Sequence, residues 1–449
     1  MLSATRLLLM LLATTQDTTP SRPAELVFWR QLGDTTLDRL MTEGLRANQD
    51  VRAAEARVRG ARAARLGAVL DLAPTVTAGG GFVRQRLPRA AFPSGSVTGS
   101  LPDQSIWDGG FDASWELDFF GRLRHGVKAA GEFASAARAE LRDVQVSLLA
   151  ELARGYFELR GGEGLLAVAR RNAENQRNTL EVTRQRLEAG RGTAFDTERA
   201  QAQLSFTLAS IPALEAAVAS ARYRVAVLVG RSPASLVLPS GDSTALPALP
   251  AFETVSNPDS VISARPDVLA AERRVAAERA LVGAAKADYL PRISLGGSAG
   301  FSSNTLDSFG KNGTFRYAVG PGISWPLLNL GRVKAGVDAS QARSDEAAAQ
   351  FAQTMLLARE DLENALVRYR SARERVTRVE EAAASSRRAA ELARLRFSDG
   401  VADFLQVLDA ERTQLDAESQ LAQGRTAAAT AYAALYKALG GVWSASPRR

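Results

Sequence analysis

The side chains best able to do covalent or acid–base chemistry are scarce in this sequence. It contains one histidine, His125, and no cysteine. An imidazole or thiolate metal centre, a histidine relay, a nucleophilic thiol and any disulfide are therefore excluded. Among the 49 acidic residues no pair is placed for general acid–base work. Two glycine clusters are poor phosphate cradles. Gly79-Gly80-Gly81 lies in an alternating stretch, where close backbone packing accounts for it, and Gly161, Gly162 and Gly164 fall in a helical pattern as a local soft spot. The chemistry points to no catalytic residue, no cofactor and no metal.

What the polar residues do have is periodicity. Trp107, Phe111, Ala113, Trp115 and Leu117 alternate with Asp108, Asp112, Ser114, Glu116 and Asp118, the pattern of a strand with one apolar and one acidic face. Farther along, Tyr317, Val319, Ile323, Trp325 and Leu327 alternate with Arg316, Ala318, Gly320, Gly322 and Ser324. Upstream strands at 74–86 and 291–304 pair with these through Pro- and Gly-bearing loops, 87–102 and 305–313. The result is two hairpins, 74–118 and 291–327.

The hairpins belong to a duplicated unit. A shift of 217 places Ala53-Ala54-Glu55 on Ala270-Ala271-Glu272, Pro74 on Pro291 and Gly79-Gly80 on Gly296-Gly297. Past the hairpin the offset becomes 210, which carries Ser114-Trp115 onto Ser324-Trp325, Gly190 onto Gly400 and Gly230 onto Gly440. The first repeat reads as 25–231 and the second as 261–443, with a linker at 232–260 rich in Pro, Ser and Leu and a tail at 444–449.

Each repeat surrounds its hairpin with helices. Leu37 to Leu72 and Val261 to Leu290 read as single helices that stop before Pro74 and Pro291. Long helical hairpins follow at 122–229 and 332–439. Arg122 to Glu188 and Arg332 to Ser398 are each long enough to reach about 100 Å at about 1.5 Å per residue. In the return segment Leu204, Ile211, Val218 and Val225 recur every seventh residue, with Leu214, Ala221 and Leu228 three later, a coiled-coil seam that Pro212 kinks without ending.

The net charge of +7 comes almost wholly from arginine interleaved with acids, without a basic run, so nucleic acid is not an expected partner. No uninterrupted apolar run approaches the ~18 residues of a spanning helix. Residues 1–24 read as an export leader: Arg6 precedes an apolar run from Leu7 to Ala13.

Four one-sided strands in one chain cannot close a barrel, so closure demands other copies. Three chains supply twelve strands, an outer-membrane barrel with a polar lumen continued by helices as an aqueous tube. The acids Asp108, Asp112, Glu116 and Asp118 then face the lumen, and Trp107, Trp115, Tyr317 and Trp325 form an aromatic girdle toward lipid. The other class of reading is a soluble coiled-coil scaffold with two decorative hairpins.

Several separated segments carry a resemblance: Trp115-Glu116-Leu117-Asp118-Phe119-Phe120-Gly121-Arg122, Ala264-Arg265-Pro266-Asp267-Val268, Leu290-Pro291-Arg292-Ile293-Ser294-Leu295, Val407-Leu408-Asp409-Ala410 and Leu435 through Trp443. Together they resemble the TolC-like outer-membrane efflux proteins, in the OprM-like lipoprotein branch. The resemblance implies a mainly helical fold with a β-barrel contribution, two tandem repeats, and a non-catalytic homotrimeric exit duct in the outer membrane of a Gram-negative bacterium, its helices in the periplasm. Its implied partners are a periplasmic adaptor, an inner-membrane pump and outer-membrane lipid. Its implied cargo is small toxic molecules, with metal-ion efflux and type I protein secretion as the other uses of such ducts. That branch usually carries a lipidated N-terminal cysteine, which this sequence lacks; anchoring by the barrel alone, or a start farther upstream, is the expectation.

The resemblance also assigns an entrance gate. Asp196 and Asp409 match its acidic positions, Gln406 stands where a third acid is common, Ala402 replaces a basic partner, and Asp403 is the nearest substitute acid. On the residues alone each acid is a solvated helix-start residue favoured by the helix dipole. The turns Gly190-Arg191-Gly192 and Gly400-Val401-Ala402 match the tips that contact the adaptor, although glycine there also serves simply to end a long helix.

Overall fold

The computed structural model describes residues 27–86, 103–238, 246–251 and 257–441. The leader 1–24, the loop 87–102, parts of the linker, Trp443 and the tail 444–449 lie outside the described residues. The described chain is mainly helical with one small antiparallel sheet. In order it runs α1 (Val27–Arg30), α2 (Thr35–Ala47), α3 (Gln49–Leu70), β1 (Thr75–Gln85), β2 (Gln104–Leu117), α4 (Arg122–Glu188) and α5 (Ala194–Leu228). The second half repeats this as α6 (Pro258–Ala264), α7 (Pro266–Ala287), β3 (Arg292–Ser303), β4 (Phe315–Ser324), α8 (Leu330–Ser398) and α9 (Phe404–Ala438).

Two expectations about the helices are corrected. The helix read as Leu37 to Leu72 breaks at Asn48, and its copy breaks at Arg265, the equivalent position. Asn48 leaves the helical region at ψ 135°; its amide oxygen then accepts from the backbone N–H of Asp50 and Val51, capping α3, while its NH2 donates to the Leu228 carbonyl. Arg265 precedes Pro266, whose ring pushes it to ψ 138°, and its buried guanidinium donates to the Ala438 carbonyl at 3.0 Å. Within the described part of the linker Pro233–Ser235 forms a 3₁₀ turn, and α6 starts at Pro258, ahead of the expected 261.

The chain divides into two compact units. One comprises Ala54–Leu141 and Asp267–Met355 and holds the sheet. Its strands follow the order β1-β2-β3-β4, all antiparallel, so the two hairpins join through β2 and β3. Its helices pack on small residues such as Ala134, Ala136, Ala277 and Ala280. His125 is part of this packing, its ring lying against Gly283, where a Cβ would come within 2.7 Å of it.

The other unit comprises Met1–Ala53, Arg142–Pro266 and Leu356–Arg449. Its base is an aromatic cluster that sequence periodicity did not disclose. Trp29 is fully buried within 4.7 Å of the Tyr436 ring, and Phe28 stacks on Tyr432 at 4.7 Å. Asp34 caps α2 and accepts a hydrogen bond from the Tyr156 hydroxyl at 2.6 Å. Burial, and then that carboxylate, raise the Tyr156 pKa to about 12. Gly161 is no soft spot: α4 runs through it, and it marks a close crossing, because a Cβ there would overlap the Thr426 side chain on α9. Along α5, Leu204, Val218, Val225 and Leu228 are buried, and the helix continues through Pro212.

Candidate functional site

The sheet register sorts its side chains onto two faces. On one lie Val76, Ala78 and Phe82 opposite Ala113, Phe111 and Trp107, followed by Leu295 opposite Trp115 and Val319 opposite Gly297. On the other lie Asp108, Asp112 and Glu116 among glycine and serine. Most apolar residues of the first face are uncovered; Phe111 is 62% exposed and Tyr317 75%. Contiguous apolar exposure on this scale marks a surface made to meet something apolar.

The four aromatics named for a girdle fall at the two ends of this face. Trp107 packs on Phe82 at 4.4 Å and lies with Tyr317 toward the loop ends, while Trp115 lies near the helix end of β2. Trp325 is one residue past β4, which stops before Pro326. Trp115 and Trp325 make the same bond in each repeat, the indole N–H donating to the Leu72 carbonyl at 2.8 Å and to the Tyr289 carbonyl at 3.0 Å.

The four acids diverge in role. Arg316 grips Asp108 with two bonds of 3.0 and 2.7 Å, and Arg122 grips Glu116 with two of 2.9 and 2.7 Å, the paired geometry guanidinium favours. Asp112 forms no ion pair among the described residues. Asp118 is corrected: it follows β2 and is not a face residue of the strand. Its carboxylate accepts from the backbone N–H of Leu123 and Arg124, so it caps α4.

The helix tips are built alike in the two repeats. Gly190 (φ +65°) and Gly400 (φ +78°) take the left-handed conformation just past α4 and α8. Arg191 N–H donates to the Arg186 carbonyl and Val401 N–H to the Arg396 carbonyl, each at 2.8 Å, closing the helix in the Schellman manner. Beneath the tips Leu180, Leu204, Phe397, Phe404 and Val407 form a small core. Arg186 lies 4.4 Å over the Phe397 ring and donates to its carbonyl at 2.5 Å.

Asp196, Asp403 and Ala402 line a cleft of about 150 Å³ with Arg186, Arg191 and Gly192. Asp196 accepts from the Thr193 hydroxyl at 2.7 Å, and Asp403 caps α9 through the Leu405 N–H. Gln406 and Asp409 lie exposed on the first turns of α9 and line no part of that cleft.

A polar seam between the long helices was missed by the sequence reading. On α9, Glu411, Gln414 and Glu418 are buried, and Asn172 and Thr179 of α4 reach Glu418 and Glu411; Gln176 is buried on the same helix. Glu411 accepts from Thr179 and Arg394, and Glu418 from Gln414 and Arg387. Burial alone would raise the Glu418 pKa, but the Gln414 and Arg387 hydrogen bonds and the charges of Arg387 and Arg171 outweigh it and hold the carboxyl below its usual value. The three-four spacing of polar residues at seam positions was the available signal. A cleft of about 1330 Å³ opens beside this seam, its arginines offset in part by Glu163, Glu380 and Glu418.

Amphipathic sheet, duplicated unit and antiparallel long helices define the chain as an outer-membrane channel protein. It belongs to the outer membrane efflux protein family, whose profile matches residues 40–231 and 257–441. The toluene efflux pump outer membrane protein TtgF of Pseudomonas putida is 30% identical over 435 residues, covering 96% of this chain and 88% of that one. The pyoverdine export outer membrane protein OpmQ of Pseudomonas aeruginosa is 30% identical over 423 residues, covering 93% and 87%. Among solved structures the outer-membrane channel OprN superposes with a TM-score of 0.85 at 38% identity, covering 93% of this chain and 92% of that one. The chain is thus an outer-membrane component of efflux. The soluble-scaffold reading is set aside.

Proposed function

We propose that three copies of this chain close into one duct that receives small toxic compounds from an inner-membrane pump through a periplasmic adaptor. The observation that carries this is the incomplete sheet: among the described residues β1 and β4 each pair on one side only, and the apolar face between them is exposed. Joining β4 of one copy to β1 of the next removes both edges, and three copies give a barrel of twelve strands. Trp107, Trp115, Tyr317 and Trp325 then face lipid, and Asp108, Asp112 and Glu116 face the lumen.

The helices support the same closure. Among the described residues one helix, α5, is long and apolar enough by composition to cross a membrane, although little of its apolar stretch is buried in one chain. Glu215 on it pairs with Arg170 at 2.6 Å, as suits a wall helix of a water-filled duct. Phe206 on α5 is 75% exposed and Leu392 on α8 60% exposed. A neighbouring copy that sets its α8 against α5 covers both.

Asp196 and Asp409, with Gln406 and Asp403 beside them, are proposed to ring the entrance, and the tips at Gly190-Arg191-Gly192 and Gly400-Val401-Ala402 to meet the adaptor. Relatives about equally similar to this chain are named for cargoes as unlike as toluene and pyoverdine, which supports leaving selection to the pump. The test is cross-linking. A cysteine placed on β1 and one on β4 of this cysteine-free chain should join neighbouring copies and yield a covalent trimer. Native mass measurement that finds only monomers or dimers overturns the duct.

A further inference from the structure

One row of the sheet pairs Gly79, Gly110, Gly300 and Arg316 across all four strands. Its middle is as tight as backbone allows: a Cβ on Gly110 would stand 2.5 Å from the Ala299 carbonyl oxygen and 2.7 Å from the Gly300 Cα. Arg316 is therefore the first side chain in a glycine-floored trough on the polar face. Its guanidinium spans β3 to reach Asp108 on β2 with bonds of 3.0 and 2.7 Å. A Cβ on Gly300 would meet the Gly109 carbonyl oxygen and stand 2.7 Å from the Gly110 Cα. Asp112, on the same face of β2, forms no ion pair among the described residues.

We propose, resting on the duct reading above, that Arg316 sets the charge selectivity of the barrel lumen in the half that carries the hairpin loops. Arg316 and Asp108 cancel each other, so the belt presents one net negative charge per chain, that of Asp112, and threefold closure repeats it around the lumen. A permeating cation meets a field whose strength depends on whether the arginine is there to cancel the second acid. This belt is separate from the helix-tip acids.

Reversal potentials across planar bilayers under a salt gradient, measured on purified trimers, test this. Arg316→Gln uncovers a second acid per chain and should raise the cation-to-anion permeability ratio about twofold or more. Asp108→Asn leaves Arg316 to offset Asp112 and should lower the ratio toward unity. Arg316→Lys keeps the charge but not the paired bonds; it should stay near the parent ratio, which a purely structural clamp would not predict. Should Arg316→Gln fail to assemble, Asp112→Asn, which breaks no ion pair, must by itself lower the ratio. The shifts should persist when Asp196 and Asp409 are both changed to Asn. Conducting trimers whose ratio is the same in the parent, Arg316→Gln and Asp112→Asn overturn the proposal; a parent protein that forms no trimer and no pore overturns the duct reading instead.

Discussion

The indole N–H of Trp115 donates to the carbonyl oxygen of Leu72 at 2.8 Å, and Trp325 repeats the bond to Tyr289 at 3.0 Å. In each repeat this ties the end of one strand to the turn that opens its partner. A bulky amphipathic ring with its N–H satisfied suits the boundary between lipid and water.

Depth in the bilayer then decides the cost of a charge. Phe111→Arg, in the middle of the apolar face, should cost about 2–4 kcal/mol of barrel stability, and Trp115→Arg less, because it lies near the strand end. Asp112→Arg, on the opposite face, should assemble normally. Trimer yields in bilayers would rank the three, and equal yields would show that the Phe111 face does not meet lipid.

The acids proposed to ring the entrance require a substitution that keeps the helix cap while removing charge. Asp196→Asn retains an acceptor for the Thr193 hydroxyl. Combined with Asp409→Asn it should raise single-channel conductance and weaken block by multivalent cations. Unchanged conductance and block in the double Asn variant and in the double Ala variant would mean that these residues only start helices.

Gly161 tests the crossing of α4 and α9. Gly161→Ala drives its methyl into Thr426, whose Cγ2 and Cβ lie 2.7 and 2.8 Å from the new atom, and should cost about 1–3 kcal/mol. Thr426→Ala should recover part of that loss. A double-mutant cycle by thermal unfolding checks it, and additive effects would show that the two residues do not meet.

The polar seam should make stability depend on pH. Glu418 is held below its usual value of 4.5, so it contributes stability that is fully present above that pH and is lost as pH falls through its lower folded value. Stability of the parent should fall more steeply than that of Glu418→Gln as pH drops below about 4.5. Parallel pH profiles for the two would show that the carboxylate is not stabilised by its partners.

Much of this protein was legible because its signals are local. The strand faces around Phe111, the glycine stops at Gly190 and Gly400 and the duplication all rest on spacing within one element or identity at one offset. The breaks at Asn48 and Arg265 were also written locally, as a capping amide and a residue before proline, but the surrounding helical pattern masked them. Asp118 fitted the strand alternation by position, yet its carboxylate was recruited by the free N–H groups of the helix that follows.

The sequence by itself determined element types, the order of the repeats, the one-sided character of the strands and the absence of cysteine and of a second histidine. It did so because backbone period, turn chemistry and residue inventory need no distant partner. Only the tertiary structure decided which residues meet across 208 positions, as Arg316 and Asp108 do, or across 246, as Asn172 and Glu418 do. It also decided that Gly110, Gly161 and Gly300 mark close approaches. An ion pair or a steric limit exists only once two remote segments are brought within a few ångströms, and spacing along a chain carries no record of that distance.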